Sequence, residues 1–323
     1  MSAAIMTSLS IIYWRYNMKI LLISDTHGNI DIINTLAAQE DVDACIHAGD
    51  FGFYDENSPD RLNAKELRLQ IKHSSAMPWE ERKEYLTVAH EEQRHIIRKY
   101  RMLGNFSDYI IGKKQFNIPV YAAWGNHEDQ SVILRLLKEP IKNLILIHED
   151  CQIILENFCL FGVGGNFVHN QTLIQPYTGL PGSACRISSA LPQYKKLINK
   201  LDLIDSKYQR IQLTHVNPEY EPLAELLAWR TNAAYTLSGH MSFPNGSEWQ
   251  TKQGDEKRIL NALIKIEEKY PRFKDQLEVF RPKQELHAIQ HLNLPDAHKG
   301  YAVLDLNSCQ YQYLMKTSKL NES

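Results

Sequence analysis

The sequence lacks a charge excess of either sign, a long apolar run and a cysteine framework. Its 36 Lys and Arg stand against 38 Asp and Glu, a formal net charge of −2, so neither a global basic field for nucleic acid nor an acidic tail is present. A nucleic-acid substrate stays possible but draws no support from charge. No run of about 18 consecutive apolar residues occurs, so no membrane-spanning helix is expected. Cys45, Cys151, Cys159, Cys185 and Cys309 form no CxxC pair and leave one over however they are joined, which reads as reduced thiols in a cytoplasmic setting. Residues 3–14 are mildly apolar, but no basic residue precedes them, Ser and Thr interrupt them and no small-residue cleavage site follows. They make a poor secretory signal, and residues 1–17 are read as an N-terminal extension before a fold that begins at Met18. Nothing in the composition sets an oligomeric state. What is present is a chain of 323 residues, 43% hydrophobic and 23% charged, with 13 histidines. That is the make-up of an ordinary globular protein.

Short apolar runs at Lys19–Ser24, Ala44–Ala48, Val120–Ala123, Leu144–Ile147, Ile153–Leu155, Cys159–Val163, Ile211–Thr214, Ala234–Ser238 and Tyr301–Leu306 have strand length and stop at polar turns. Helical patterns lie between them, at Ile30–Ala38, Gln130–Lys138, Gln193–Leu201 and Glu221–Trp229. The alternation gives an α/β class. Continuously apolar strands need cover on both faces, while the short gap at Glu156-Asn157 predicts an antiparallel hairpin. Two mixed sheets packed together with helices outside are therefore expected. Residues of about 56–116 and 247–290 are charged and helix-prone, and read as insertions in a single domain spanning 18–323. The first is predicted to hold two helices, Arg61–Lys72 and Glu80–Met102, broken at Met77-Pro78, and the second a helix at Lys257–Lys269. Neither contains a catalytic constellation in sequence, and each is read as a solvated decoration or as a surface that sets substrate choice.

The chemistry-bearing residues fall at the ends of the apolar runs, where open α/β sheets place their sites. After Ser24 come Asp25-Thr26-His27-Gly28-Asn29; in an extended stretch Asp25 and His27 would point to one side. After Ala48 come Gly49-Asp50-Phe51-Gly52, and after Trp124 come Gly125-Asn126-His127-Glu128. His215 follows Thr214, and Gly239-His240-Met241-Ser242 follows Ser238. Each alone has an ordinary structural explanation as a turn, a cap or a core histidine. Five such ends in one chain make independent coincidence a poor account.

This order of motifs resembles the calcineurin-like metallophosphoesterases, with D-x-H, G-D, G-N-H-E, a lone His and G-H-x-H in succession over Met18 to about Leu306. The resemblance implies a four-layer α-β-β-α sandwich of two mixed sheets with a two-metal centre at the strand ends. It implies that Asp50 bridges both metals, that Asp25 and His27 complete one site, and that Asn126, His215 and His240 complete the other. His127 would stand beside the metals and protonate the leaving oxygen or stabilise charge. One or two divalent ions per chain are expected, and carboxylate, imidazole and amide oxygen donors suit Mn, Fe, Zn or Co better than Mg. Such ions would clamp a phosphoryl group and activate water for attack on a phosphomonoester or phosphodiester.

One motif departs from the pattern: Ser242 stands where the family has a second histidine of the first metal site. The first site is therefore expected to bind more weakly than the second, with a single-metal resting state. Phe161-Gly162-Val163-Gly164-Gly165-Asn166 lacks the Lys-Ser/Thr of a P-loop and reads as a turn near the site, from which Asn166 or His169 would reach substrate. His47 is read as a core or supporting residue. The order from Pro119 to Gly165 is also similar in layout to RNA lariat debranching enzymes, where the D-x-H motif departs. Here that motif is intact and no debranching-type Cys is present, so nuclease activity is an alternative subclass. A non-catalytic scaffold with a degenerate centre is the other reading, supported only by Ser242.

Overall fold

The computed structural model describes residues 18–154, 158–167, 188–189, 191–240, 246–305 and 312–317. Its strands are β1 (Lys19–Ile23), β2 (Ala44–Ala48), β3 (Val120–Ala123), β4 (Leu144–Leu146), β5 (Asp150–Ile154), β6 (Phe158–Gly162), β7 (Asn166–Phe167), β8 (Ser188–Ser189), β9 (Gln209–Leu213), β10 (Ala233–Ser238), β11 (Ser247–Thr251), β12 (Ile289–Asn293), β13 (Gly300–Asp305) and β14 (Gln312–Thr317). The helices used below are α1 (Asp31–Glu40), α2 (Ser58–Arg61), α3 (Ala64–His73), α4 (Trp79–Arg82), α5 (His90–Lys99), α6 (Phe106–Ile110), α7 (Gln130–Leu136), α8 (Leu191–Leu201), α9 (Pro222–Arg230) and α10 (Glu256–Lys269).

Alternation along β1 sends Ile20 and Leu22 to one face of its sheet and Leu21 and Ile23 to the other, and all four are buried. The two faces belong to different cores. Ile20, Leu22, Ile46, Ala48 and Ala123 pack against Leu160, Ile211, Leu213 and Leu237 of a second sheet, while Leu21, Ile23 and Cys45 pack against Ile33 and Leu36 of α1 and Val132 and Leu136 of α7. The second sheet's outer face, with Cys159 and Phe161, is covered by α8, α9 and α10 through Leu197, Leu227 and Leu263. These cores make the four layers α-β-β-α.

The first sheet runs β14-β13-β1-β2-β3-β4 and the second β11-β12-β10-β9-β6-β5. Both are mixed. β1, β2, β3 and β4 are mutually parallel, with β13 antiparallel to β1; β6, β9, β10 and β12 are parallel, with β5 and β11 antiparallel at the edges. The expected hairpin is present as the β5–β6 pair, in register at Ile154 and Phe158.

Three expectations require correction. The strand expected at Ile153–Leu155 begins earlier, at Asp150, because its polar start pairs with the end of β6. The helix expected over Glu80–Met102 is interrupted: α4 and a 3-10 turn at Lys83–Leu86 precede α5. The Gln93 side-chain amide donates to the carbonyls of Tyr85 and Leu86 and satisfies the acceptors that a continuous helix would have used. The segment expected to be a helical insertion from 247 opens on strand β11, paired with β12, and α10 lies between the two. As an edge strand with Glu248 and Gln250, β11 has no apolar run to announce it.

Candidate metal centre

The ends of β1, β2 and β3 meet those of β9 and β10 at one rim of the sandwich. Close approach depends on Gly49, where a Cβ would lie 2.5 Å from His215 Nδ1 and where the backbone is left-handed, φ +97°. The first two loops are tied together by their backbones: Asp25, His27 and Gly28 N–H donate to the carbonyls of Gly49, Asp50 and Phe51 at 2.9, 2.9 and 3.1 Å. The extended conformation expected for Asp25 and His27 is not found. Both adopt left-handed backbone, φ 52° and 45°, as do Asp50 at 50° and His240 at 72°. Each such residue stores of order 1–3 kcal/mol of strain, held by the surrounding bonds. The side chains converge through this turn and not through strand alternation.

Two groups of donor atoms share Asp50. Asp25, His27 and Asp50 each bring one atom within 4.8 Å of the others, as do Asp50, His215 and His240. Around His215 Nε2 lie His240 Nδ1 at 3.0 Å, Asn126 Oδ1 at 3.2 Å and Asp50 Oδ2 at 3.4 Å. His215 Nδ1 is 2.9 Å from Ala48 O and donates to it, so a neutral ring has only a lone pair at Nε2, facing two oxygens. A cation reconciles these atoms. The donor set fits a divalent metal, and Asn126 Nδ2 and His27 Nδ1, both buried, have no partner among the described residues.

The electrostatics carry the same message. Burial opposes a charge on His215, but the Asp50 carboxylate outweighs it, with Asp25 adding to the rise, and the pKa stands at about 9. Burial pushes the Asp25 carboxyl up to about 7, with Asp50 and Asp296 adding to the rise and His215 and Ser24 offsetting part. Burial brings the His27 imidazole down to about 4. Asp50 is buried yet held well below the usual carboxylate range by His215, His127 and His27. Protons stand where metal charge would otherwise be.

His127 lies beside these groups, its ring centroid 6.3 Å from that of His27, and its backbone N–H donates to Asp50 Oδ1 at 2.9 Å. Its Nδ1 is 2.9 Å from Glu66 Oε1, with both side chains buried. Burial opposes protonation of His127, but Asp50 and Glu66 together hold its pKa above the ordinary value. Glu66 belongs to α3. Asn63 caps that helix by accepting from Glu66 N–H at 2.9 Å, yet the Glu66 carboxylate does not return to the cap as in a capping box; it turns to His127 and accepts from Gln70 Nε2 at 2.7 Å. One turn further, His73 stacks on His27 at 4.8 Å. Contrary to the sequence reading, the first helical segment therefore carries site residues on one face, with Glu66, Gln70 and His73 spaced four and three apart.

Glu128, the last residue of its motif, is not among the donor groups. Its buried carboxylate accepts from the N–H groups of Phe51, Gly52, Phe53 and Gly125 and so clamps the Asp50 loop. His47 is fully buried and supports the same region: its Nδ1 accepts from Gly49 N–H and its Nε2 lies 2.9 Å from Thr26 Oγ1. Asn166 opens β7, one residue after Gly165, whose N–H donates to Trp124 O at 2.8 Å. Ser242 and His169 lie outside the described residues. Glu66 escaped the sequence reading because a Glu next to the apolar pair Leu67 and Ile71 looks like any solvated flank of an amphipathic helix.

Residues 18–244 match a family model described as calcineurin-like phosphoesterase. No curated protein matches the chain in sequence. One crystal structure is 12% identical with a TM-score of 0.50, covering 93% of this chain and 99% of its own. TT1561 of Thermus thermophilus is 14% identical with a TM-score of 0.47 over 92% of this chain and 98% of its own. GAP50, the anchor in the inner membrane complex of Plasmodium, is 9% identical with a TM-score of 0.45 over 95% and 86%.

Proposed function

The chain belongs to the calcineurin-like phosphoesterase family, and on that premise we propose that it hydrolyses a phosphomonoester or phosphodiester with divalent metal held at the strand ends. The observation that carries the proposal is the pair of donor groups sharing the buried Asp50. Asp25 and His27 would hold one ion with Asp50, and Asn126, His215 and His240 the other. Mn, Fe, Zn or Co suits these mixed oxygen and nitrogen donors better than Mg. Bound ions would supply Lewis acidity toward the phosphoryl oxygens and a nucleophilic water at neutral pH.

His127 supplies the proton. With Nδ1–H donated to Glu66, the ring presents Nε2 toward the reaction, and the Asp50 and Glu66 carboxylates hold its pKa above the ordinary imidazole value, which favours a proton there. As the water oxygen bonds to phosphorus and the bond to the leaving oxygen breaks, that proton passes to the leaving oxygen. Hydrolysis of 4-nitrophenyl phosphate and bis(4-nitrophenyl) phosphate with Mn, Fe, Co or Zn supplied tests the reading. Metal-dependent turnover, lost in Asp50→Asn, is expected; no turnover of either ester with any of these metals would contradict it.

A further inference from the structure

We infer that the cleft beside His27 is a subsite for the part of the substrate beyond the scissile phosphate, and that Arg101 selects there for a second phosphate. The inference rests on the phosphoesterase reading above. The cleft measures about 400 Å³ and runs from His27 and Asn29 on the ligand loop to Ser75, Tyr100, Arg101 and Asn105 on the first helical segment. That volume lies within the range of small-molecule sites. His27 is at once a candidate ligand and part of the cleft wall, so the cleft borders the metal centre.

Its floor is fixed. A Cβ on Gly104, at φ +78°, would lie 1.9 Å from Gly28 O, so the backbones of the segment and the ligand loop touch with no room for a side chain. Asn105 N–H also donates to Gly28 O, at 3.4 Å. The distance from the ligand loop to Arg101 is therefore built into the fold.

The charge pattern points to an anion. Among the described residues no carboxylate lines the cleft. Arg61, Arg68, Arg82, Arg94 and Arg98, the other arginines of the segment, all commit their guanidinium groups to protein acceptors. Arg101 is exposed and its side chain has no ion pair or hydrogen bond among the described residues. On its other side Arg101 borders a second cleft of about 450 Å³ that holds Asp55 and Glu56, which repels an anion, so the His27 cleft is the side on which one would settle. A planar guanidinium fork pairs with phosphate through two parallel hydrogen bonds. Asn105 Oδ1, buried and without a partner among the described residues, offers an acceptor to a hydroxyl of the same ligand.

Adenosine 3′,5′-bisphosphate and adenosine 5′-monophosphate differ by one phosphate and serve as probes. With the metal-loaded full chain, kcat/KM is expected to favour the bisphosphate by about tenfold, a typical worth for a charge-assisted contact. In Arg101→Asn that ratio falls to about one, and Arg101→Lys keeps part of it. Asn suits the left-handed backbone of Arg101, φ 51°, so the variant is expected to unfold at the wild-type midpoint. A wild-type ratio of one, or a ratio that Arg101→Asn leaves unchanged, overturns the inference. If neither nucleotide is turned over, that bears on the phosphoesterase reading, and calorimetric titration with the same two nucleotides decides the cleft. Tighter binding of the bisphosphate that disappears in Arg101→Asn upholds the subsite, and equal binding of the two rejects it.

Discussion

Glu66 Oε1 lies 2.9 Å from His127 Nδ1, a contact between a helix of the first charged segment and the end of β3, 61 residues apart in sequence. It fixes which ring nitrogen carries hydrogen and so which one faces the reaction. Replacing Glu66 by Gln keeps a hydrogen bond but removes one of the two charges, with that of Asp50, that raise the His127 pKa. We expect kcat to fall about tenfold to a hundredfold, a usual cost for losing the partner of a functional histidine. The alkaline limb of the pH–rate profile should tell this apart from a folding defect: the pH at which His127 loses its proton falls in Glu66→Gln, while the unfolding midpoint stays near that of wild type.

The acid role of His127 gives a leaving-group signature. His127→Ala is expected to slow an alkyl phosphate by about 10²–10⁴-fold and 4-nitrophenyl phosphate far less, because nitrophenolate leaves without a proton. Equal losses on the two esters would remove His127 from the acid role.

Stability of the metal-free chain is expected to fall between about pH 6.5 and 9. His215 stands above its ordinary value of 6.5, at about 9, so its contribution is complete below pH 6.5 and disappears as pH rises through 9. Asp25, raised from 3.8 to about 7, acts in the same direction and has lost most of its contribution by pH 7. Metal replaces these protons, so thermal unfolding with Mn should show a midpoint that changes little over this range, and Mn affinity should rise with pH. A metal-free midpoint that climbs from pH 6.5 to 9 would refute the assignment.

Glu128 is expected to matter for folding more than for chemistry. Glu128→Ala strips the acceptor from the N–H groups of Phe51, Gly52 and Phe53 in the Asp50 loop and from that of Gly125 after β3, and we expect a loss of about 3–5 kcal/mol in denaturant unfolding, as donors left unsatisfied in the interior cost. Added metal should recover part of this loss by holding Asp50 directly.

The polar residues at strand ends were legible because each follows an apolar run whose period ends there, and the layers followed from strands apolar on both faces. The turn that joins Asp25 to His27 was not, since its left-handed backbone depends on bonds to Gly49 and Asp50 across the sheet and not on its own residues. Strand β11 was hidden for the reason common to edges: one side faces solvent, so Glu248 and Gln250 mask the pairing with β12. Glu66 and His73 were invisible as site residues because nothing local shows which face of α3 turns toward His127 and His27.

The central claim is that Asp50 joins two unequal metal sites. Calorimetric titration of chelator-treated chain with Mn, beside Asp50→Asn, tests it most directly. The expected result is two ions per wild-type chain with the second bound more weakly, and loss of both in Asp50→Asn. Two equally tight ions would contradict the inequality, and unchanged binding in Asp50→Asn would contradict the shared carboxylate.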